Sequence, residues 1–315
     1  VKKRKAMVVI SFINLKGGVG KTTCCANIAG ELARENRRVL VIDADPQANV
    51  SILLLGQLRY KKLFDNSLPE HEKYQKTIYQ LFLDAIEGDT QPRRFDFETA
   101  IIKNVVKQEI RGKIHSPLPH LDLLPSTYHL VQLEQKIVNY VRSRYAILDR
   151  FLQKVKNEYD FILIDCPPNI YTTTHNALYA SDYFIIPTIP DYISISGISL
   201  LINTLNKTIA IKTEEGHDPV KLAGILINLI DSRINVHKEG KANIERLLAQ
   251  FIRDGLVDSE AIIFQTEIKN LVDIKKASGE SLPICINEPR AVSTGLFREL
   301  CHEIISRTTL PNGGV

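Results

Sequence analysis

Lys16-Gly17-Gly18-Val19-Gly20-Lys21-Thr22-Thr23 stands between a short apolar run at 8–13 and a segment whose Ile28, Leu32 and Ala33 recur at helical spacing. A strand, a glycine-rich turn and a helix in that order make a phosphate-binding loop. Gly17, Gly18 and Gly20 let the backbone curl so that successive N–H groups, that of Val19 among them, converge on phosphate oxygens. The start of the helix adds positive potential. Lys21 is placed to reach the β- and γ-phosphates of a nucleotide and the Thr22 hydroxyl to ligate Mg²⁺, with Thr23 completing the loop. The alternative is an idle lysine- and glycine-rich turn. Seven matched positions arise by chance in roughly one chain in ten thousand, which disfavours it.

Working outward, short apolar runs alternate with helical stretches through most of the 315 residues. Residues 8–13, 39–42, 121–124, 161–164, 184–186 and 223–227 read as strands buried on both faces, the pattern of a parallel sheet. Ile147, Leu148, Phe151, Leu152 and Val155 give one of the helical spacings between them. The alternation predicts a doubly wound α/β fold, a mostly parallel sheet flanked by helices, of the P-loop NTPase type. Residues 57–75 are charged and loosely patterned, and 107–118 carry Arg111, Gly112, Lys113 and Pro117. The strand pattern resumes after each, so both are expected to be surface insertions in one domain spanning 1–315. The end, 310–315, is expected to fray.

Two strands end in acids. The run at 39–42 leads into Asp43-Ala44-Asp45-Pro46-Gln47, and Phe161-Ile162-Leu163-Ile164 leads into Asp165-Cys166-Pro167-Pro168. Phosphoryl transfer to water needs a metal and a group that orients the water, and carboxylates at strand ends beside the loop supply both. Asp165, ending a wholly apolar strand, is costly if buried without a charge partner, and Mg²⁺ provides one. Simpler readings are a helix cap for the first pair and an ordinary strand-end aspartate for Asp165. Asn228 follows the run at 223–227. Its amide has the paired donor and acceptor that suit an adenine edge, although a plain strand-ending asparagine is the competing reading.

These motifs resemble the ParA/MinD family, whose loop reads K-G-G-x-G-K-[ST], whose first acidic motif reads D-x-D-P-Q and whose second ends in D-x-P-P. Leu15 replaces the first glycine of the usual phosphate loop, which points to the ParA branch. Comparable residues recur at Thr77-Ile78-Tyr79, Leu124-Pro125-Ser126-Thr127, Asn176-Ala177-Leu178 and Asp231-Ser232-Arg233, so the likeness covers about four-fifths of the chain. The resemblance implies a slow, partner-stimulated ATPase using ATP and Mg²⁺ that closes into a homodimer around the nucleotide. By the same resemblance Lys16 reaches the partner copy's phosphates, Asp45 positions the attacking water, Asp43 supports the Mg²⁺ shell, Asp165 binds the metal and Asn228 touches adenine.

The family further implies ATP-dependent, nonspecific binding of double-stranded DNA and a ParB-like stimulating partner, in the service of moving DNA or a protein cargo. Clustered cations suffice for such binding. Candidates are Lys238, Lys241, Arg246, Arg253, Lys269, Lys275, Lys276 and Arg290, though interleaved acids such as Glu239, Glu245 and Glu267 also fit a solvated face. A formal net charge of +4 permits this function without arguing for it. No run approaches the roughly 18 apolar residues of a membrane span. The basic start at 1–5 precedes an apolar run too short for a secretion signal. Five scattered cysteines, none in a C-x-x-C pair, suit a reducing compartment, so a cytoplasmic, nucleoid-associated protein is expected. No helix-turn-helix precedes the loop, which disfavours operator-binding relatives. A MinD-like membrane switch and a dethiobiotin-synthetase-like enzyme remain as alternatives. The former expects a basic amphipathic C-terminal helix, where 300–309 has one arginine and no aromatic.

Overall fold

The computed structural model describes residues 7–64, 67, 69–88, 93–138, 144–231 and 235–309. The segment 310–315, expected to fray, and Ser232 and Arg233 lie outside the described residues. The elements run β1 (Val8–Phe12), α1 (Lys21–Arg34), β2 (Val39–Asp43), α2 (Asn49–Leu55), α3 (Gln57–Lys62), α4 (Glu70–Lys73), α5 (Ile78–Glu87) and α6 (Phe97–Ala100). A hairpin of β3 (Gln108–Ile110) and β4 (Lys113–His115) follows, then β5 (Leu121–Leu124), α7 (Leu130–Val138), α8 (Ile147–Val155), β6 (Phe161–Asp165) and α9 (Thr172–Tyr179). The remainder comprises β7 (Tyr183–Thr188), α10 (Tyr192–Glu214), β8 (Lys221–Ile230), α11 (Asn235–Arg253), β9 (Ile262–Ile263), β10 (Ile268–Lys269), α12 (Val272–Gly279), α13 (Ile284–Asn287) and α14 (Val292–Thr308).

All six sequence-predicted strands are present, as β1, β2, β5, β6, β7 and β8. They pair in parallel in the order β8-β7-β1-β6-β2-β5, and β9 and β10 both add to β8. Successive side chains along a strand point to opposite faces, and here both faces are covered. Val8, Ile10 and Phe12 join a core with α1, α2, α13 and α14, whereas Val9, Ile42, Ile162 and Phe184 join one with α5 and α7 to α11. That double burial is why these strands read as continuous apolar runs instead of alternating ones. The chain leaves β1 toward β2 on one side and later toward β7 on the other, so a crevice opens beyond the C-terminal end of β1.

The two segments expected to be insertions differ in character. Residues 107–118 hold the hairpin β3–β4, turned by Arg111 and Gly112 at φ 53° and 74°, the left-handed pair of a tight two-residue turn. Its strands pair only with each other, and Glu109 to His115 are exposed. The segment 57–75 is less loose than its sequence suggests. It carries α3 and α4 and docks by its rings, with Tyr60 against Phe64, Phe64 against Tyr74, and Tyr74 against the buried His129 at a centroid distance of 4.1 Å.

Helix α11 approaches the loop after β7 closely enough that only glycine fits at Gly240, where an added Cβ would lie 1.9 Å from the Pro190 carbonyl oxygen. Gly240→Ala is expected to lower stability by about 1–3 kcal/mol through overpacking. A urea midpoint equal to that of the wild type would show that the helix slides without penalty.

Candidate functional site

The phosphate loop is pinned at its base by Asn14. Its Nδ2 donates to the Pro187 carbonyl of β7 at 2.7 Å, and its Oδ1 accepts from the Lys16 N–H at 2.9 Å. Leu15, where a usual loop has glycine, packs half-buried against the core. Gly18 and Gly20 have φ of 74° and 86°, conformations that disfavour any side chain. Gly20 faces a second restriction, since a Cβ there would fall 2.1 Å from Asn228 Nδ2. Helix α1 begins after Gly20 with no side-chain cap and no acid in its first turn. Its leading N–H groups and the positive end of its dipole are therefore free to meet an anion.

Around this loop lies a cleft of about 640 Å³ lined by Gly17, Gly18, Gly20, Lys21, Thr22 and Thr23 on one side and Asp45, Gln47 and Asn49 on another. Ile52, Leu53, Leu229, Leu271 and Ile274 give it an apolar end, where Asn270 is the polar group. Lys21 is buried and turned back on its own loop, donating to the carbonyls of Asn14 and Lys16 at 3.0 and 3.2 Å. Burial pulls its ammonium below the usual lysine range, partly offset by Asp165.

Asp165 is fully buried, and its Oδ2 accepts from Thr22 Oγ1 at 2.7 Å. Its Oδ1 is buried with no hydrogen-bond partner. Burial pushes the Asp165 carboxyl up to about 7, against the Thr22 hydrogen bond that favours its charge. An orphaned carboxylate oxygen beside a hydroxyl is the donor set of a hard divalent cation, so these two residues fit Mg²⁺.

Asp45 lines the same cleft, and its Oδ1 accepts from the Gln47 N–H at 2.8 Å. Asp43 is turned inward instead. Its Oδ1 accepts from the Asp45 N–H at 3.1 Å, and its Oδ2 accepts from the N–H and hydroxyl of Ser51 at 2.9 and 2.6 Å. It is fully buried, and burial together with the Asp165 charge raises its carboxyl well above the ordinary value. Both of its oxygens are engaged by the backbone and hydroxyl of the following segment, where the resemblance implied a supporting place in the Mg²⁺ shell.

Lys16 stands outside the cleft lining. Its ammonium donates to Asp191 Oδ2 at 2.7 Å and Ser194 Oγ at 3.0 Å, at the start of α10, where Asp191 also caps the helix. Asn228, which the resemblance implies to touch adenine, is placed otherwise. It is buried beneath the loop, donating from Nδ2 to the Val19 carbonyl at 2.6 Å, and it does not line the cleft. Leu229 and Asn270 reach the cleft in its stead.

The basic candidates are spread over α11, β10, α12 and the turn before α14. Lys241 and Lys276 are held by Glu267 and Glu288, each at 2.6 Å, whereas Arg246, Arg253, Lys269 and Arg290 are exposed. The side chains of Lys238 and Lys275 lie outside the described residues. Sequence reasoning missed Asn14, Gln47, Asn49, Asp191, Leu229 and Asn270. Asp191 lies 175 positions from Lys16 and carries only the signal of a helix cap, so nothing local announces the pairing.

Set beside known proteins, residues 7–215 match the family model described as an AAA domain. The sporulation initiation inhibitor protein Soj of Bacillus subtilis is 28% identical over 296 residues, covering 94% of this chain and 97% of that one. The chromosome partitioning protein ParA of Myxococcus xanthus is 27% identical over 303 residues, covering 96% and 89%. Among solved structures, the septum site-determining protein MinD of Pyrococcus horikoshii, complexed with Mg-ADP, superposes with a TM-score of 0.60 at 20% identity, covering 95% of this chain and 96% of that one.

The raised Asp165 carboxyl has a consequence for stability. Unfolded, it ionises near its ordinary 3.8, and in the metal-free fold near 7. Across that window the folded state holds a proton that the unfolded state has released, so stability falls as pH rises through it. The melting-temperature advantage of Asp165→Asn over wild type, measured in chelator, should therefore grow from pH 5 to pH 7.5. A constant difference would show that Asp165 is charged throughout.

Proposed function

Because the chain belongs to the ParA/MinD family of partition ATPases, we propose that it is an ATP-driven dimerisation switch that binds DNA without sequence preference and positions DNA or a protein cargo. The observation that carries this reading is Lys16, whose ammonium sits on the rim outside its own cleft. A lysine of the phosphate loop that does not face its own nucleotide site is free to serve the site of a second copy. Exposed Tyr192 and Ile193, next to its partner Asp191, are apolar surface for such a copy to cover.

In this reading ATP lies along the cleft, its phosphates on the N–H groups of residues 17–23 and its base against Leu229, Leu271 and Asn270. Lys21 leaves the Asn14 and Lys16 carbonyls for the β- and γ-phosphates. Thr22 Oγ1 and Asp165 would hold Mg²⁺, which would supply neutralisation of phosphate charge. Asp45 orients the attacking water, and Asp43 acts one step behind it by fixing the Asp45 backbone. Lys16 releases Asp191 and engages the partner copy's phosphates. Asn228 holds the loop from below.

The whole span 1–315 acts as one domain, with 57–75 and 107–118 as insertions. Exposed Arg246, Arg253, Lys269 and Arg290, with Lys238, Lys241, Lys275 and Lys276, supply the phosphate contacts on DNA. Dimerisation doubles their number, so nucleotide state governs DNA affinity without any new surface. A ParB-like partner accelerates a slow intrinsic turnover. Among the described residues no helix is long and apolar enough to cross a membrane, and the reading places the protein in the cytoplasm, on the nucleoid when ATP is bound.

Size-exclusion chromatography with light scattering tests the switch. With Mg-ATP, Asp45→Ala is expected to shift from monomer to a dimer that retains plasmid DNA in low salt and turns over at least about a hundredfold more slowly than wild type. Lys16→Ala should bind nucleotide yet stay monomeric. Normal turnover in Asp45→Ala would remove that residue from the mechanism, and undiminished hydrolysis in Lys16→Ala would remove the action on a second copy.

A further inference from the structure

Ser51 lies outside the cleft, fully buried in α2, and joins three separate segments. Its hydroxyl donates to Asp43 Oδ2 at 2.6 Å and accepts from the Ser126 N–H at 3.1 Å. A serine hydroxyl has one proton and two lone pairs. With an N–H directed at its oxygen from Ser126, its proton is aimed at Asp43. The Ser51 N–H donates to the same Asp43 oxygen at 2.9 Å, so Oδ2 is held twice and Oδ1 is left facing the Asp45 N–H.

The path continues outward. The Ser126 carbonyl accepts from Tyr60 Oη at 3.2 Å, and Tyr60 belongs to α3 in the inserted segment. Its ring meets Phe64, which meets Tyr74, whose ring lies tilted against His129 three residues beyond Ser126. The inserted segment thus touches the residue that presents the N–H to Ser51 and the chain three positions beyond it.

We infer that Ser51 is a positioning residue for Asp45, acting through Asp43, and that the inserted segment holds it in place through Tyr60 and Ser126. The inference rests on the role of Asp45 given above. A competing account makes Ser51 a stabilising contact inside α2 and nothing more. That account predicts lower stability without a selective effect on turnover.

The test uses the full chain with Mg-ATP and plasmid DNA. Ser51→Ala should lower kcat about tenfold while the KM for ATP stays within about twofold, as expected when a buried hydrogen bond behind a reacting group is lost. Ser51→Thr, which keeps the hydroxyl, should restore most of the rate. Tyr60→Phe, which keeps the ring, should lower kcat about twofold to threefold. A second reading needs no turnover: without nucleotide, hydrogen exchange at the Asp45 amide should accelerate about tenfold in Ser51→Ala and not in Ser51→Thr. A wild-type kcat in Ser51→Ala, failure of threonine to rescue, or unchanged Asp45 exchange would each overturn the inference alone. A wild-type chain that hydrolyses no ATP, with Asp45 exchange altered as expected, would overturn the reading of Asp45 and the positioning role in turnover with it.

Discussion

Two carboxylates buried side by side govern this site. Asp43 and Asp165 end neighbouring strands, paired in register, and neither reaches water. A buried carboxylate without partners is costly, and the fold satisfies the two in opposite ways. Asp43 receives three donors on its two oxygens. Asp165 receives one, leaving an oxygen orphaned toward the loop. Only one of the pair therefore still requires a cation. The nearby thiols of Cys24, Cys25 and Cys166 are pushed far up by burial and by the same carboxylates, so they add no competing negative charge. Lys21 is close enough to sense Asp165, yet its hydrogen bonds go to backbone carbonyls.

The rim follows a different economy. The Lys16–Asp191 pair is about a third exposed on each side, and a pair so placed contributes roughly 1 kcal/mol or less. It directs the ammonium without committing it. In the dimer proposed above, a phosphate on the second copy would compete with Asp191 for the same group. The rigidity belongs to Asp191 itself, which caps α10 through the Ser194 N–H at 2.8 Å and follows the Pro190 carbonyl that Gly240 allows α11 to approach.

The fold was legible because its signal is redundant. Six apolar runs, each buried on both faces, could hardly be anything but a parallel sheet, and all six are strands. The loop was legible because its glycines and Lys21 are contiguous. Asp165 drew notice because it ends a strand, and Asp45 because it lies two residues past the end of another, the region where such a fold places its chemistry. What could not be read lies in contacts across long separations, such as Lys16 with Asp191, or in the division of labour between Asp43 and Asp45. Two aspartates separated by one residue look alike in a sequence. The inward-turned one is held by Ser51, eight positions on. The ring cluster of 57–75 was missed for a related reason: its aromatics are spaced irregularly, and their partner His129 lies beyond the hairpin.

Asn228 shows how one irregular residue redirects a sound local argument. Expecting an asparagine at the end of a strand to face the base assumes that the strand ends regularly. Instead Leu229 takes φ of 53°, and the pairing of β8 with β10 slips so that Ile268 faces Asn228 while Lys269 faces Ile230. A left-handed conformation costs a non-glycine residue roughly 1–2 kcal/mol. Consecutive residues have different tasks: Asn228 goes under the loop to hold the Val19 carbonyl, and Leu229 goes into the cleft. The displaced strand also delivers Asn270 and Leu271 to the same end of the cleft. One strand end thus serves both the loop and the cleft, with the left-handed Leu229 between Asn228 and the shifted pairing of Lys269 with Ile230.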